Sequence, residues 1–384
     1  MDAEITFMPA TREDFRKRQH LRKRQPVRLT GLCGRAIAMR TLLVLVCVLF
    51  LAVLASRPAH GQSYAIGADV SFLAKCEQDG VVFKENGQPV DVLALLRAHH
   101  YNWVRLRIFH DPAAAPDKLP NDLPYTLALA RRAKAMGFRI LLDLHYSDSW
   151  ADPGKQPMPA AWAKLNHKQL VKQVFAYTRD TISAFAQQGL MPDMVQVGNE
   201  ITNGMLWPDG KLPDHWDQFA DLLQAGIRGV KAGSRSGPRP RIMIHIERSG
   251  DYDAAVAFFD QLLARNLKFD VIGLSYYPYW HGDLPTMQSN LSKLALRYRR
   301  PIIVVETAYN WTPGRAGKSQ DFPETPQGQL AFLRAVDAAV RAIPKGLGQG
   351  VFWWEPAAEG GLRGRSFFDN DGNVLPVIAA LDAP

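Results

Sequence analysis

From residue 64 onward, short apolar runs rich in β-branched residues alternate with longer amphipathic stretches, and the pattern recurs eight times. The runs fall at 64–70, 103–108, 139–144, 194–197, 242–246, 271–275, 302–305 and 351–354. Most are continuously apolar, which predicts strands buried on both faces, as in a parallel sheet. The stretches between them, at 92–99, 125–136, 168–187, 216–231, 252–265, 286–298 and 328–341, carry apolar residues at helical spacing. Gly137 and Gly189 follow two of these and read as helix C-caps. Such regular alternation predicts an α/β chain folded as a single (β/α)8 TIM barrel. An open doubly wound sheet would place a glycine-rich phosphate loop after its first strand. Here that strand runs into Gly67-Ala68-Asp69-Val70-Ser71, without GxGxxG or GxxxxGK[ST].

The first 61 residues are of another kind. They carry 11 Lys/Arg against four acids, while the rest of the 384-residue chain carries 35 against 33. The formal charge of +9 therefore belongs mostly to the N-terminus. A nearly neutral remainder gives no basic footprint for nucleic acid. Residues 42–55 read LLVLVCVLFLAVLA. This run is short for a membrane span of about 20 residues but fits a signal-peptide core of about 7–15. Arg40 precedes it, small residues follow around Ala55-Ser56 and Ala59-His60-Gly61, and Met39 would start a compact signal peptide. The expectation is a removed segment at 1–61, a domain at 62–384 and a secreted or periplasmic product; an uncleaved anchor is the alternative. Of Cys33, Cys47 and Cys76, only Cys76 would survive cleavage, so no internal disulfide would form. The mature chain must then rely on its core.

In a barrel of this kind the active site lies at the C-terminal strand ends. Two strands end on glutamate, in Met194-Val195-Gln196-Val197-Gly198-Asn199-Glu200 and in Ile302-Ile303-Val304-Val305-Glu306. Two carboxyl groups facing one bond are what glycoside hydrolysis requires; a lone glutamate could equally begin a loop or a helix. Period-two spacing puts Arg105 and Arg107 on one face of the second strand. A barrel interior demands partners for them, and Arg107 is the expected partner of Glu306. Asp143 and His145 alternate onto one face of the third strand, ahead of the polar segment Tyr146–Pro153. A catalytic metal is disfavoured, because no His-x-His, His-Glu-x-x-His or cysteine pair accompanies them. His245 reads as a structural histidine. Trp150, Trp207, Trp280 and Trp311 sit in loops after strands, where flat rings can pack on sugar C–H faces. Trp103, Trp162 and Trp216 read as core.

The motifs GADVS, VRLRIFHDP, LLDLHYSDSWADP, VQVGNEITNGMLWPDG, IGLSYYPYWHG, IIVVET and FWWEP, taken in order, resemble the endo-β-1,4-galactanases of glycoside hydrolase family fifty-three. The resemblance runs over roughly residues 65–380. Phe109 stands where the family often has Trp, Ser149 where Thr is common, and the Gly/Arg-rich segment 357–365 departs further. The resemblance implies a retaining enzyme with Glu200 as acid/base and Glu306 as nucleophile. It places Arg107 in support of the nucleophile and Trp354 beneath the sugar. It sets Asp69, His145 and Trp150 along the cleft, and Tyr276 and Tyr277 in a strand-six motif where one of the two faces the nucleophile. Asn199 would bond the 2-hydroxyl. The implied substrate is β-1,4-galactan or type I arabinogalactan, with no cofactor required; one barrel with a polymer cleft needs no partner, so a monomer is expected. Some bacterial members carry structural calcium in late loops; no comparable acidic ligand set is legible here, and that reading stays open. The alternatives are another β-1,4-glycan such as mannan or glucan, or a non-catalytic carbohydrate-binding barrel.

Overall fold

The computed structural model describes residues 64–314 and 321–382; the expected signal peptide and its cleavage region lie outside the described residues. Eight parallel strands close into a barrel in sequential order. They are β1 (Ala65–Asp69), β2 (Trp103–Ile108), β3 (Arg139–Leu144), β4 (Met194–Val197), β5 (Arg241–Ile246), β6 (Val271–Tyr276), β7 (Ile302–Thr307) and β8 (Gly348–Trp354). The long helices α1 (Val92–Ala98), α2 (Leu123–Ala135), α3 (His167–Gln187), α4 (Trp216–Gly233), α5 (Tyr252–Ala264), α6 (Leu284–Tyr298) and α7 (Pro326–Arg341) lie in the connections between strands. Side chains of Asp91, Asp122, Asn166, Asp251, Asp283 and Thr325 accept the first free backbone N–H groups of six of them. Each such cap stabilises by about 1 kcal/mol. Gly137 and Gly189 leave α2 and α3 at φ +80° and +69°, as expected of C-cap glycines. Among the described residues, no helix is long and apolar enough to cross a membrane.

The barrel interior has two storeys. The lower one is apolar, filled by Trp103, Leu141, Met194, Met243, Val271, Ile303 and Phe352. Large side chains fit there because β1 and β6 each present a glycine, Gly67 and Gly273, toward them. A Cβ on Gly67 would sit 2.2 Å from the Phe352 ring, and one on Gly273 would sit 2.6 Å from the Met243 sulfur. The upper storey is polar and opens at the C-terminal strand ends.

Strand β7 carries an irregularity that decides where Glu306 points. Leu274 pairs with Val304, but the next residue of β6, Ser275, pairs with Glu306. On the other side Val304 pairs with Val351 and Thr307 with Trp353. Val305 is thus one residue extra against both neighbours, a β-bulge. Strict alternation would send Glu306 outward with Ile302 and Val304. The bulge turns it into the barrel mouth.

Candidate active site

Arg105 organises the upper storey. It is 1% exposed, and its guanidinium meets Asp69 and Asp143 at 2.8 Å each and Glu306 at 2.7 Å. It also donates to the side-chain carbonyls of Asn199 at 2.9 Å and Gln196 at 3.1 Å. Burial works against its charge, but Asp143, Glu306 and Asp69 outweigh burial and hold its pKa above the ordinary value. Burial would likewise raise Asp143; Arg105 and His145 outweigh it and draw the carboxyl down to about 2. His145 donates through Nε2 to Asp143 at 3.0 Å and accepts the Ala151 N–H at Nδ1.

Arg107, one step up β2, is engaged elsewhere. Its guanidinium pairs with Glu355 at 2.5 Å and lies between the Phe72 ring (4.2 Å) and the Trp150 ring (4.5 Å). Burial pushes Glu355 up to about 8, with Arg107 opposing and Asp69 assisting. The expected Arg107–Glu306 pair is therefore corrected: Arg105 holds Glu306, its guanidinium reaching Asp69, Asp143 and Gln196 as well. Arg107 lines the pocket and braces Trp150.

Glu200 follows Gly198 (φ +86°) and itself adopts φ +46°, left-handed backbone that is costly for a residue with a Cβ. A side chain on Gly198 would meet Ile201 at 2.7 Å. The turn brings the Glu200 carboxyl to Ser275 Oγ at 2.6 Å. Glu306, 6% exposed, also accepts from Tyr277 Oη at 3.2 Å. Burial and the neighbouring Glu306 raise the Glu200 pKa well above the carboxylate range. Burial raises Glu306 too, against the pull of Arg105, so an arginine alone does not keep Glu306 low. Glu200, without so close a cation, is the better proton holder of the pair.

Both carboxyls line one cavity of about 600 Å³, with Trp150, Trp354, Asn199 and His145 on its walls. Trp150 and Trp354 are tilted at 60° with centroids 6.1 Å apart, and the Arg365 guanidinium lies 5.2 Å from the Trp354 ring. Trp280, 55% exposed, stands at the rim. Two expected cleft residues lie elsewhere. Tyr276 points outward, stacks on Phe332 and donates to the Gly282 carbonyl, so Tyr277 is the tyrosine that faces Glu306. Asp69 is fully buried beneath the arginines and accepts from Ser71. Trp103 and Trp162 are core, and Trp216 packs against the core. Arg105, expected in the barrel interior but not assigned to the cleft, also lines the pocket, as do Arg365 and Glu247, which sequence reasoning missed. Glu247 accepts from Thr202 at 2.6 Å, and burial raises it. Its position after β5 was the available signal. Among the described residues, no group of three or more His, Cys, Asp or Glu is arranged to hold a metal ion.

An eight-stranded parallel barrel with two inward carboxyls at the ends of β4 and β7, above an aromatic-walled pocket, has the make-up of a glycoside hydrolase. The comparisons agree, and the chain belongs to glycosyl hydrolase family 53, whose family model matches residues 65–381. The probable arabinogalactan endo-β-1,4-galactanase A of Aspergillus terreus is 37% identical, over 83% of this chain and 93% of its own length. The arabinogalactan endo-β-1,4-galactanase of Cellvibrio japonicus is 33% identical, over 83% of this chain and 87% of its own. The solved GH53 catalytic domain of Ignisphaera aggregans superposes with a TM-score of 0.77 at 36% identity, covering 84% of this chain and 97% of that one.

Proposed function

We propose that this glycoside hydrolase is a secreted, retaining endo-β-1,4-galactanase that cleaves the β-1,4-galactosidic bonds of galactan and type I arabinogalactan. One observation carries the chemistry: two buried carboxyls in one pocket with opposed surroundings, Glu306 against a cation and Glu200 against a hydroxyl. The substrate rests on the relatives named above, which are galactanases by name.

In this reading Glu306 attacks the anomeric carbon while Glu200 gives its proton to the departing oxygen. A covalent galactosyl-enzyme forms on Glu306. Glu200, now a carboxylate, takes a proton from water, and the hydroxide so generated displaces Glu306. Arg105 and Tyr277 hold the nucleophile's two oxygens, and a carboxyl separation of about 5–5.5 Å goes with retention. Asn199 gives one amide N–H to the Ala151 carbonyl, and its other N–H suits a sugar 2-hydroxyl. Trp354 and Trp150 supply apolar faces to pyranose rings. A monomer suffices, since every group named lies on one chain, and no step calls for a metal.

The test is purified 62–384 on linear β-1,4-galactan, with Glu306→Gln as control. A ladder of galacto-oligosaccharides, absent in the variant, supports substrate and nucleophile together. Release from mannan or glucan in place of galactan would keep the two-carboxyl chemistry and discard the substrate. A parent inert on all of them would leave a carbohydrate-binding barrel. Mass spectrometry of the exported protein locates the mature N-terminus, and one upstream of Leu42 would refute cleavage.

A further inference from the structure

We propose that His245 and Ser275 are positioning residues that keep the proton on Glu200 through a hydrogen-bond chain of fixed direction. The proposal rests on the reading of Glu200 as the acid and concerns how the barrel holds it in that form.

The chain begins at Asn199, whose amide can be oriented from its partners. Arg105 Nη2, 2.9 Å away, can only donate, so the Asn199 atom facing it is the carbonyl Oδ1. The other end, Nδ2, donates to the Ala151 carbonyl at 2.9 Å. His245 Nδ1 lies 3.1 Å from that same Oδ1, so Nδ1 carries a hydrogen. The ring is fully buried, and burial together with Arg105 keeps it neutral. A neutral ring with hydrogen on Nδ1 has a bare Nε2. Nε2 is 2.8 Å from Ser275 Oγ, so the serine hydroxyl donates to it. A serine has one hydrogen to give. Its Oγ therefore meets Glu200 Oε1, 2.6 Å away, with lone pairs only, and the hydrogen in that contact belongs to Glu200.

Taken alone, a hydroxyl beside Glu200 would favour the carboxylate. The His245 ring reverses this by claiming the serine hydrogen. Other charged groups bear on the same proton. Glu306 from β7 and Glu247 after β5 favour it, Arg105 from β2 opposes it, and Tyr277 after β6 stands nearby. Around His245 stand Arg105, Asp143, His145 and His281; Asp143 alone of these favours a charged ring. When Glu200 protonates the leaving oxygen, its carboxylate is left facing serine lone pairs. That state is relieved when water returns a proton to Glu200, the event that completes the second step.

The sign of one shift tests the chain. The basic limb of kcat/KM on linear galactan reports loss of the Glu200 proton. Replacing Ser275 by alanine removes an acceptor made only by the acid form. The limb should then move to lower pH by about one unit, the size of one hydrogen bond made in a single protonation state. Ser275→Thr, which keeps the hydroxyl, should restore it. A limb that stays put, or moves to higher pH because Ser275 had been donating to a carboxylate, overturns the proposal. A variant that does not fold is bypassed by infrared difference spectra of the parent against Glu200→Gln at neutral pH. A protonated-carboxyl C=O band lost in the variant supports the chain, and absence of that difference overturns it. The infrared result does not depend on which glycan is cleaved, so failure of the chain and failure of the galactan assignment remain separate outcomes.

Discussion

Replacing Arg105 with methionine keeps the length and packing of the side chain and removes its charge. It strands three carboxyls, Asp69, Asp143 and Glu306, now met at 2.7–2.8 Å. Each has a lesser remaining partner: Arg107 for Asp69, His145 for Asp143 and Tyr277 for Glu306. The loss is therefore nearer that of one broken buried pair than of three, about 3–5 kcal/mol. A second route gives the same size. If one stranded acid escapes by taking a proton, an ordinary carboxyl with pKa near 4 does so at pH 7 at a cost of about 4 kcal/mol, at about 1.36 kcal/mol per unit. At pH 5 that cost drops to about 1.4 kcal/mol. In the parent, Asp143 is held at about 2, so its contribution is present above the unfolded value and lost only as pH falls through 2. In the variant the shift reverses, because burial then governs and the folded state binds the proton more tightly than the unfolded chain. The destabilisation should thus shrink by about 2–3 kcal/mol between pH 7 and pH 5. Urea unfolding followed by tryptophan fluorescence at the two pH values measures this directly. A loss below about 1 kcal/mol, or an equal loss at both pH values, would refute the network as drawn. Activity should vanish at either pH, since Glu306 loses its cation.

Tyr277→Phe removes one donor from Glu306 and should lower kcat about ten-fold, with little change in stability; an unchanged kcat would remove Tyr277 from the mechanism. Trp280→Ala, at a half-exposed rim position, should raise KM for polymer while leaving the unfolding midpoint in place; Trp162→Ala in the core should cost about 3–5 kcal/mol instead. Glu355 is pushed up to about 8, so the folded state holds a proton that the unfolded chain releases above about 4.3. Its contribution is full below that value and fades as pH rises toward 8, and Glu355→Gln should flatten this decline in urea-derived stability. Gly67→Ala forces a Cβ against Phe352 and should cost about 1–3 kcal/mol, relieved in part by Phe352→Leu.

The barrel was legible because its signal is repeated and local. Each strand is a buried apolar run and each helix an amphipathic one. The eight expected strands lie within three residues of the observed ones at every end. The identity of the acidic strand ends was legible for the same reason, since a carboxyl has no packing role at the end of an apolar run. What the side chains do there was less legible, because facing depends on alternation and on where alternation breaks. In β6, Ser275, Tyr276 and Tyr277 alternate in, out and in, so counting from Ser275 would have separated the two tyrosines had the serine's partners been known.

Arg105 and Arg107 show the limit more sharply. Both face inward, two residues apart, and no local feature of β2 says which lies level with Glu306. That depends on the stagger of β2 against β1 and β3, which sets Arg105 beside Asp69 and Leu141, and Arg107 beside Asp143. It depends equally on the bulge at Val305, which turns Glu306 inward, and Ile-Ile-Val-Val-Glu contains no glycine or other mark of an inserted residue. The bulge is defined only by its neighbours, by Ser275 on one side and Trp353 on the other. A strand's own residues specify that it is buried; the strands beside it specify which of its atoms meet the substrate. For that reason the His245–Ser275 chain, which crosses from β5 through β6 to the end of β4, becomes visible only once the barrel is closed.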